Sequence, residues 1–439
     1  MTSPSLDVYV DGQMVGTLVE EDKRFVFTYL PDVPANIFVS LLMPVRAESY
    51  VWTGVHPFFQ MNLPEGFKKD VLRRRLGAHA DVSDFGLLAL TGTNTIGRVQ
   101  VVPSGVQLAT AASNADMATL LASTDSRDNL LRLLESGVAE GVSGVMPKAL
   151  TAPGAKATVW TPEFILKTGF NDLPGLALNE YLCLEVARHA GLEVPEARIS
   201  ADGDVLAVRR FDRREDGQML AVEDFCALKG LDALNKYKGT LEDIARLMGI
   251  YIPRGEIKDN ARRLYTLLVL NYAVRNADAH LKNFALTYMS MADVRLAPAY
   301  DVLTTNAYPD LASNLPALQL AGKRSWASGK LLAVYGGARL GLSKADMSES
   351  IERVTSAIYK VTPMVAEFAD TYAGFREVGK RMLDLWGAGL EDIKPDAKPG
   401  KSIATPLREQ MGLSDPERGQ RKDATPYANP DGAFGHKAR

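Results

Sequence analysis

Asn276-Ala277-Asp278-Ala279-His280-Leu281-Lys282-Asn283-Phe284 is the stretch on which the fold turns. It follows the apolar run Leu264 to Val274, which reads as a buried helix. It precedes two short strands, Phe284 to Tyr288 and Val294 to Ala297, around the turn Ser290-Met291-Ala292. Asp278 and Asn283 bring a carboxylate and a neutral amide oxygen onto one loop. A carboxylate accepts a hydroxyl proton, and an amide oxygen suits a hard divalent cation.

The two residues stand five positions apart, the spacing of the aspartate and asparagine in a kinase catalytic loop. Phosphoryl transfer needs both functions held close together. Leu296-Ala297-Pro298-Ala299-Tyr300-Asp301 follows the hairpin, with Asp301 eighteen residues after Asn283. A kinase carries its magnesium-bridging carboxylate there. Alone, Asp301 also fits a turn cap; in register with Asp278 and Asn283, the metal role is favoured. Lys167 ends the apolar strand Phe164-Ile165-Leu166 and is the candidate cation for the phosphates, although such a lysine also snorkels to solvent. Glu180, opening the helix expected over 178–190, either pairs with Lys167 or serves the helix dipole. Gly137, Gly141 and Gly144 lie in the segment ending Ser143-Gly144-Val145-Met146-Pro147-Lys148. They let backbone N–H groups approach phosphates, or they form a flexible turn.

Working outward, the pattern predicts an α+β chain with two kinase-like lobes. Residues 1–105 form a small α+β module, with strands around the hairpin turn Asp11-Gly12 and a mixed helical region at 58–79. Residues 106–126, rich in Ala, Ser and Thr, form a linker. Residues 127–240 form a strand-rich lobe with the phosphate loop. Residues 241–394 form a helical lobe, with helices expected at 241–249, 256–275, 343–360 and 363–387. Residues 395–439 hold six prolines, five glycines and few large apolar side chains. Such a tail cannot offset its ordering entropy and is expected to be disordered.

Composition narrows the function. The 439 residues are 46% hydrophobic and 23% charged, with a net charge of -3. No overall basic field exists to hold DNA or an anionic membrane. Two cysteines, Cys183 and Cys226, fit a reducing cytoplasm. Met1 to Asp7 lacks the basic start and apolar block of a signal peptide. The most apolar stretches, about ten residues, are too short to span a bilayer. The five histidines show no metal-ligand spacing, so a zinc site is not expected.

Some strings mislead. Asp84-Phe85-Gly86 spells a kinase motif far upstream of the loop, and Phe85 and Leu87 read as core. Gly92 to Gly97 has P-loop spacing, but Arg98-Val99 replaces the required Lys and Ser/Thr. Gly141-Val142-Ser143-Gly144 is one residue short of a hydrolase nucleophile elbow.

Across residues 5 to 390 the chain resembles the HipA family, serine/threonine-kinase toxins of bacterial type II toxin–antitoxin modules. The resemblance rests on 276–284 and 296–301, and on Ser143 to Lys148, Asn179-Glu180-Tyr181 and Val208-Arg209-Arg210-Phe211-Asp212-Arg213. Val10 to Leu18 and Asn62-Leu63-Pro64-Glu65-Gly66 carry it in the N-terminal module. It implies a two-lobed kinase fold using ATP and Mg2+. Asp278 would be the catalytic aspartate, Asn283 and Asp301 the metal ligands, and Lys167 the phosphate contact. Arg209-Arg210-Phe211 would be the adenine-facing hinge, and Ser143, Gly144, Val145, Met146, Pro147 and Lys148 the phosphate loop. His280, Leu281, Lys282, Asn283, Tyr300 and Asp301 would line the nucleotide site.

The resemblance further implies a cytoplasmic toxin that phosphorylates an aminoacyl-tRNA synthetase, such as the glutamyl enzyme, and so arrests growth. Its partner would be a HipB-like helix-turn-helix antitoxin, through which alone it meets operator DNA. A loop serine, Ser143, would be the autophosphorylation site. Met146 stands where relatives often have Gln, and Arg209 where Glu is common. Two other readings fit the residues: the same fold acting on another protein, a lipid or a small molecule, and a weakly catalytic corepressor.

Overall fold

The Asp11-Gly12 turn forms as expected, with both residues at positive φ, the two-residue hairpin geometry that matches strand twist. It joins β1 (Ser5–Val10) to β2 (Gln13–Glu21), and β3 (Arg24–Tyr29) and β4 (Tyr50–Thr53) continue the antiparallel order. Past α1 (Pro57–Gln60) and α2 (Asp84–Thr91), β5 (Val99–Pro103) returns to pair with β1. A computed structural model describes residues 5–22, 24–64, 81–108, 117–139, 156–170, 172–394 and 407. The helical reading of 65–79 and the phosphate loop at 143–148 therefore lie outside the described residues. Phe85 and Leu87 of α2 are buried in this module's own core.

Two helices, α3 (Met117–Ala122) and α4 (Ser126–Ala139), lead to a four-stranded antiparallel sheet. Gly137, expected in a loop, belongs to α4. The sheet runs in the order β6 (Lys156–Trp160), β7 (Phe164–Gly169), β9 (Leu206–Arg209), β8 (Ala197–Ile199). Alternation along β7 sends Leu166 into the core and leaves Lys167 on the opposite face. The helix α5 (Leu176–His189) interrupts the strands and carries Glu180.

Strand β10 (Ala221–Asp224), which no sequence pattern announced, pairs with β11 (Ala285–Tyr288), and β12 (Arg295–Leu296) completes a second sheet. Residues 221–224 thus join the hairpin after the catalytic-type loop rather than the strand-rich lobe. Helices α6 (Phe225–Leu228), α7 (Leu241–Tyr251) and α8 (Ile257–Ala273) precede that loop. Leu264, Tyr265, Leu268, Val269 and Leu270 of α8 are fully buried. That anchors the loop on a helix buried deep in the larger core.

The C-terminal helices differ from expectation. A helix α9 (Gly329–Leu340), not foreseen, is capped by Ser328 and ends at the left-handed Gly341. The break expected near 360 is absent: α10 runs unbroken from Lys344 to Thr371 through Pro363. Pro363 lies on the exposed face of the helix, while Val361, Thr362 and Val365 are buried. The chain turns instead at 372–375 before α11 (Arg376–Asp392). Of the tail at 395–439, Leu407 alone is described, and it is buried in the helical core.

The N-terminal module is fastened to the hairpin by buried polar contacts. Glu223 of β10 accepts hydrogen bonds from Ser40 Oγ (2.7 Å), the Leu41 amide (2.6 Å) and Tyr288 Oη. Arg98 donates to the carbonyls of Met289 (2.9 Å) and Phe38 (3.2 Å). Phe38 stacks on Tyr288 with centroids 5.5 Å apart. Arg98, which broke the P-loop pattern, is thus part of this junction.

Candidate active site

The loop at 276–284 starts with a strained reversal. Arg275 follows α8 at φ +57°, a left-handed conformation unusual without glycine or asparagine. Its guanidinium is held by Asp392 at 2.5 Å and lies over Trp326. The backbone beyond is locked by side chains. Thr305 Oγ1 accepts from the Ala277 amide at 2.7 Å, and Asn276 Oδ1 accepts from the Asp278 amide at 3.2 Å. Asn276 also donates to the Asp301 carbonyl at 3.5 Å, a weak contact that still ties both aspartates to one amide.

Within the loop, the His280 amide donates to the Asp278 carbonyl (2.7 Å) and to Asn283 Oδ1 (2.9 Å). Asn283 Nδ2 donates to Asp301 Oδ2 at 2.5 Å. The other oxygen, Asp301 Oδ1, accepts from Lys167 Nζ at 2.9 Å. Lys167 Nζ lies 2.6 Å from Glu180 Oε1, and Glu180 is only 2% exposed. Glu180 therefore makes the ion pair rather than serving the helix end. Asp301 itself sits at φ +56°. Strain of that kind, held by surrounding bonds, marks functional positions. Lys167, Glu180, Asn283 and Asp301 form one connected set in the cleft.

The other sequence-nominated residues divide. Phe211 and Tyr300 meet, ring centroids 5.7 Å apart, and Tyr300 Oη donates to the Lys282 carbonyl at 2.8 Å. Burial and the nearby Asp224 and Asp301 push the Tyr300 phenol well above its ordinary range, so it stays a donor. Arg209 is exposed, near Glu196. Three side chains are engaged away from this set. Arg210 is buried and holds Asp212, Asn94 and Thr95. Leu281 is packed in the core. Lys282 Nζ reaches the Met61 carbonyl at 3.3 Å. A residue that sequence reasoning missed is Tyr237, whose hydroxyl donates to Asp278 Oδ1 at 2.8 Å. Its only signal was an aromatic in a lysine-rich loop, which suggested nothing.

Magnesium fits these residues. Mg2+ keeps several waters and takes one or two protein oxygens besides phosphate. Asp301 Oδ2 and the Asn283 amide are already in contact, so a carboxylate and a neutral amide of the kind such an ion takes stand together.

A strand-rich lobe and a helical lobe with a lysine–carboxylate–amide set between them define an α+β, kinase-like fold. The chain belongs to the HipA family of kinases. The HipA N-terminal domain matches residues 6–102, and the HipA-like C-terminal domain matches 141–362. "Putative kinase Y4mE" of Sinorhizobium fredii is 30% identical over 426 residues, 85% of this chain and 98% of that protein. "Putative kinase Y4dM" of the same organism is 29% identical, covering 83% and 95%. The fold is shared with a HipA of Shewanella oneidensis MR-1, solved with HipB and operator DNA. That match has a TM-score of 0.59 at 19% identity, over 88% of this chain and 98% of that one. Among the described residues, no helix is long and apolar enough to cross a membrane.

Proposed function

We propose that the protein is an ATP- and Mg2+-dependent serine/threonine protein kinase, acting as the toxin of a toxin–antitoxin pair. The observation that carries this reading is the bonded chain Glu180–Lys167–Asp301–Asn283, in kinase order and joining both lobes. Lys167, oriented by Glu180, binds the nucleotide phosphates. Asp301 and Asn283 would hold magnesium, which neutralises charge on the transferring phosphoryl group when bound. Asp278 orients the acceptor hydroxyl and takes its proton. Phe211 and Tyr300 flank the base, and the backbone of Arg209, Arg210 and Phe211 serves as hinge. Ser143 to Lys148 cover the phosphates, and Ser143 is the autophosphorylation site, where added charge would repel bound ATP.

The acceptor we favour is a component of translation, an aminoacyl-tRNA synthetase such as the glutamyl enzyme, and the site of action is the cytoplasm. The solved Shewanella relative carries HipB and operator DNA. By that analogy the partner here is a HipB-like helix-turn-helix antitoxin, with DNA contacted through it. The test is incubation with γ-labelled ATP and MgCl2, alone and with purified glutamyl-tRNA synthetase. Wild type labels itself or the synthetase, and Asp278→Ala does not. Equal labelling by the alanine variant would overturn the role of Asp278.

A further inference from the structure

Tyr237 lies on the loop between α6 and α7, well before the catalytic-type loop in sequence, yet its phenol ends on Asp278. Nothing about that placement is loose. The Leu281 amide donates to the Lys236 carbonyl at 3.2 Å. Arg324 donates to the Tyr237 carbonyl at 2.6 Å. Gly239 is pressed so closely on Leu281 that a Cβ there would lie 2.7 Å from its side chain. The ring stands edge-on to His280, centroids 5.2 Å apart. The phenol is aimed by backbone contacts on both sides while the residue remains 39% exposed at the mouth of the site.

We propose that Tyr237 is a built-in stand-in for the acceptor: its hydroxyl occupies the carboxylate oxygen that an incoming hydroxyl must use. This rests on Asp278 being the catalytic aspartate. An O–H donor 2.8 Å from Asp278 Oδ1 fills one acceptor position of the proposed base. An acceptor hydroxyl engages that oxygen by displacing the phenol, and water is disfavoured by the same competition. Tyr237 therefore sets selectivity for a bound side-chain hydroxyl over solvent and suppresses wasteful ATP hydrolysis.

Water is the probe that tests this without knowing the protein acceptor. In hydrolysis, the water oxygen bonds to the γ-phosphorus, the bond from that phosphorus to the β–γ bridging oxygen breaks, and ADP leaves. The water proton passes to Asp278. Tyr237→Phe keeps the ring on His280 and removes only the hydroxyl. The full chain is assayed for ADP release from ATP and MgCl2 with no protein acceptor. A hydrogen bond to a charged group sets the scale of the competition, so Tyr237→Phe should raise the rate about tenfold. KM for ATP and the melting temperature should be unchanged. A rate that is unchanged or lower overturns the proposal, because the phenol is then neutral or positions Asp278. Phosphotyrosine at 237 in wild type also overturns it, because the residue is then an acceptor itself. Asp278→Asn run beside it separates the two claims. A dead Asp278→Asn with an unaltered Tyr237→Phe sinks this proposal alone. A fully active Asp278→Asn sinks the assignment of Asp278 and this proposal with it.

Discussion

Lys167 Nζ lies 2.9 Å from Asp301 Oδ1, an ion pair between residues 134 positions apart that closes the cleft from both sides. The same ammonium is 2.6 Å from Glu180. One cation therefore serves two carboxylates, and its removal has two separable consequences. Replacing Lys167 by Met leaves Glu180 buried without its cation, which costs about 3–5 kcal/mol. It also removes the proposed phosphate contact. Lys167→Met should fall in urea midpoint and lose labelling from ATP. The double variant Lys167→Met/Glu180→Gln should recover most of the midpoint and none of the labelling. Recovered labelling would dismiss Lys167 from catalysis.

Asn283 holds Asp301 Oδ2 through its amide. Asn283→Ala deletes one oxygen of the proposed magnesium pair and leaves Lys167 in place. The MgCl2 concentration for half-maximal activity should rise about 10–100-fold, by analogy with the loss of a metal's supporting shell. A magnesium titration of ADP release gives the answer, and an unshifted curve would contradict the ligand role.

The site was more legible in sequence than the scaffold around it. The spacings 278–283–301 and the buried helix before them are local, and the structure joins Asn283 to Asp301 and Asp301 to Lys167. What escaped was tertiary. Tyr237 reaches Asp278 only because its loop packs on Leu281, which no periodicity announces. Strand β10 is four residues long and buried on both faces, so it lacks alternation. The two helices expected at 343–360 and 363–387 are joined through Pro363, because packing of its buried neighbours outweighs the hydrogen bond a proline cannot donate. Arg210 looked like a hinge residue, yet its side chain serves the junction with the N-terminal module.

Glu223 binds Ser40, Leu41 and Tyr288 with no exposure to solvent. Burial outweighs the three donors, which favour the charged form, and leaves its carboxyl raised to about 7. Glu223→Ala strands those donors, costing about 2–4 kcal/mol. Ser40→Ala removes one of them and should cost about 1 kcal/mol. Because β10 pairs with the strand leaving the catalytic-type loop, Glu223→Ala should also lower ADP release. Calorimetry and the same assay read both effects.

His56 supplies a pH dependence with a definite sign. Its Nδ1 accepts from the Phe58 amide at 3.1 Å, and the ring packs on Trp52. Burial lowers its pKa to about 4. The folded state prefers the neutral ring, so its contribution is complete above the unfolded value of about 6.5 and is lost as pH falls toward 4. The drop should approach about 3 kcal/mol. His56→Gln, which cannot titrate, should show a flatter stability profile between pH 6.5 and 4. Parallel profiles would show that another group carries the acid sensitivity.

The catalytic-type loop rests on the packing of α8 against α11. Gly389 of α11 faces the end of α8, where a Cβ would lie 1.9 Å from the Ala273 carbonyl oxygen. Backbone cannot yield as a flexible side chain does, so Gly389→Ala must push the two helices apart. Overpacking of this kind costs about 1–3 kcal/mol. The displacement falls two residues before Arg275, whose guanidinium reaches back to Asp392 on the same helix. Parting the helices loosens that ion pair and the left-handed turn it holds, and with them the position of Asp278. Activity should therefore fall at temperatures where the variant is still folded. Gly249→Ala is the opposite control: it lies on the exposed face of α7 with nothing within 4 Å of a Cβ. Helix propensity alone should make that variant more stable by up to about 1 kcal/mol, with activity unchanged. If Gly389→Ala matched wild type in both melting and activity, close packing of α8 on α11 would not be what fixes the loop.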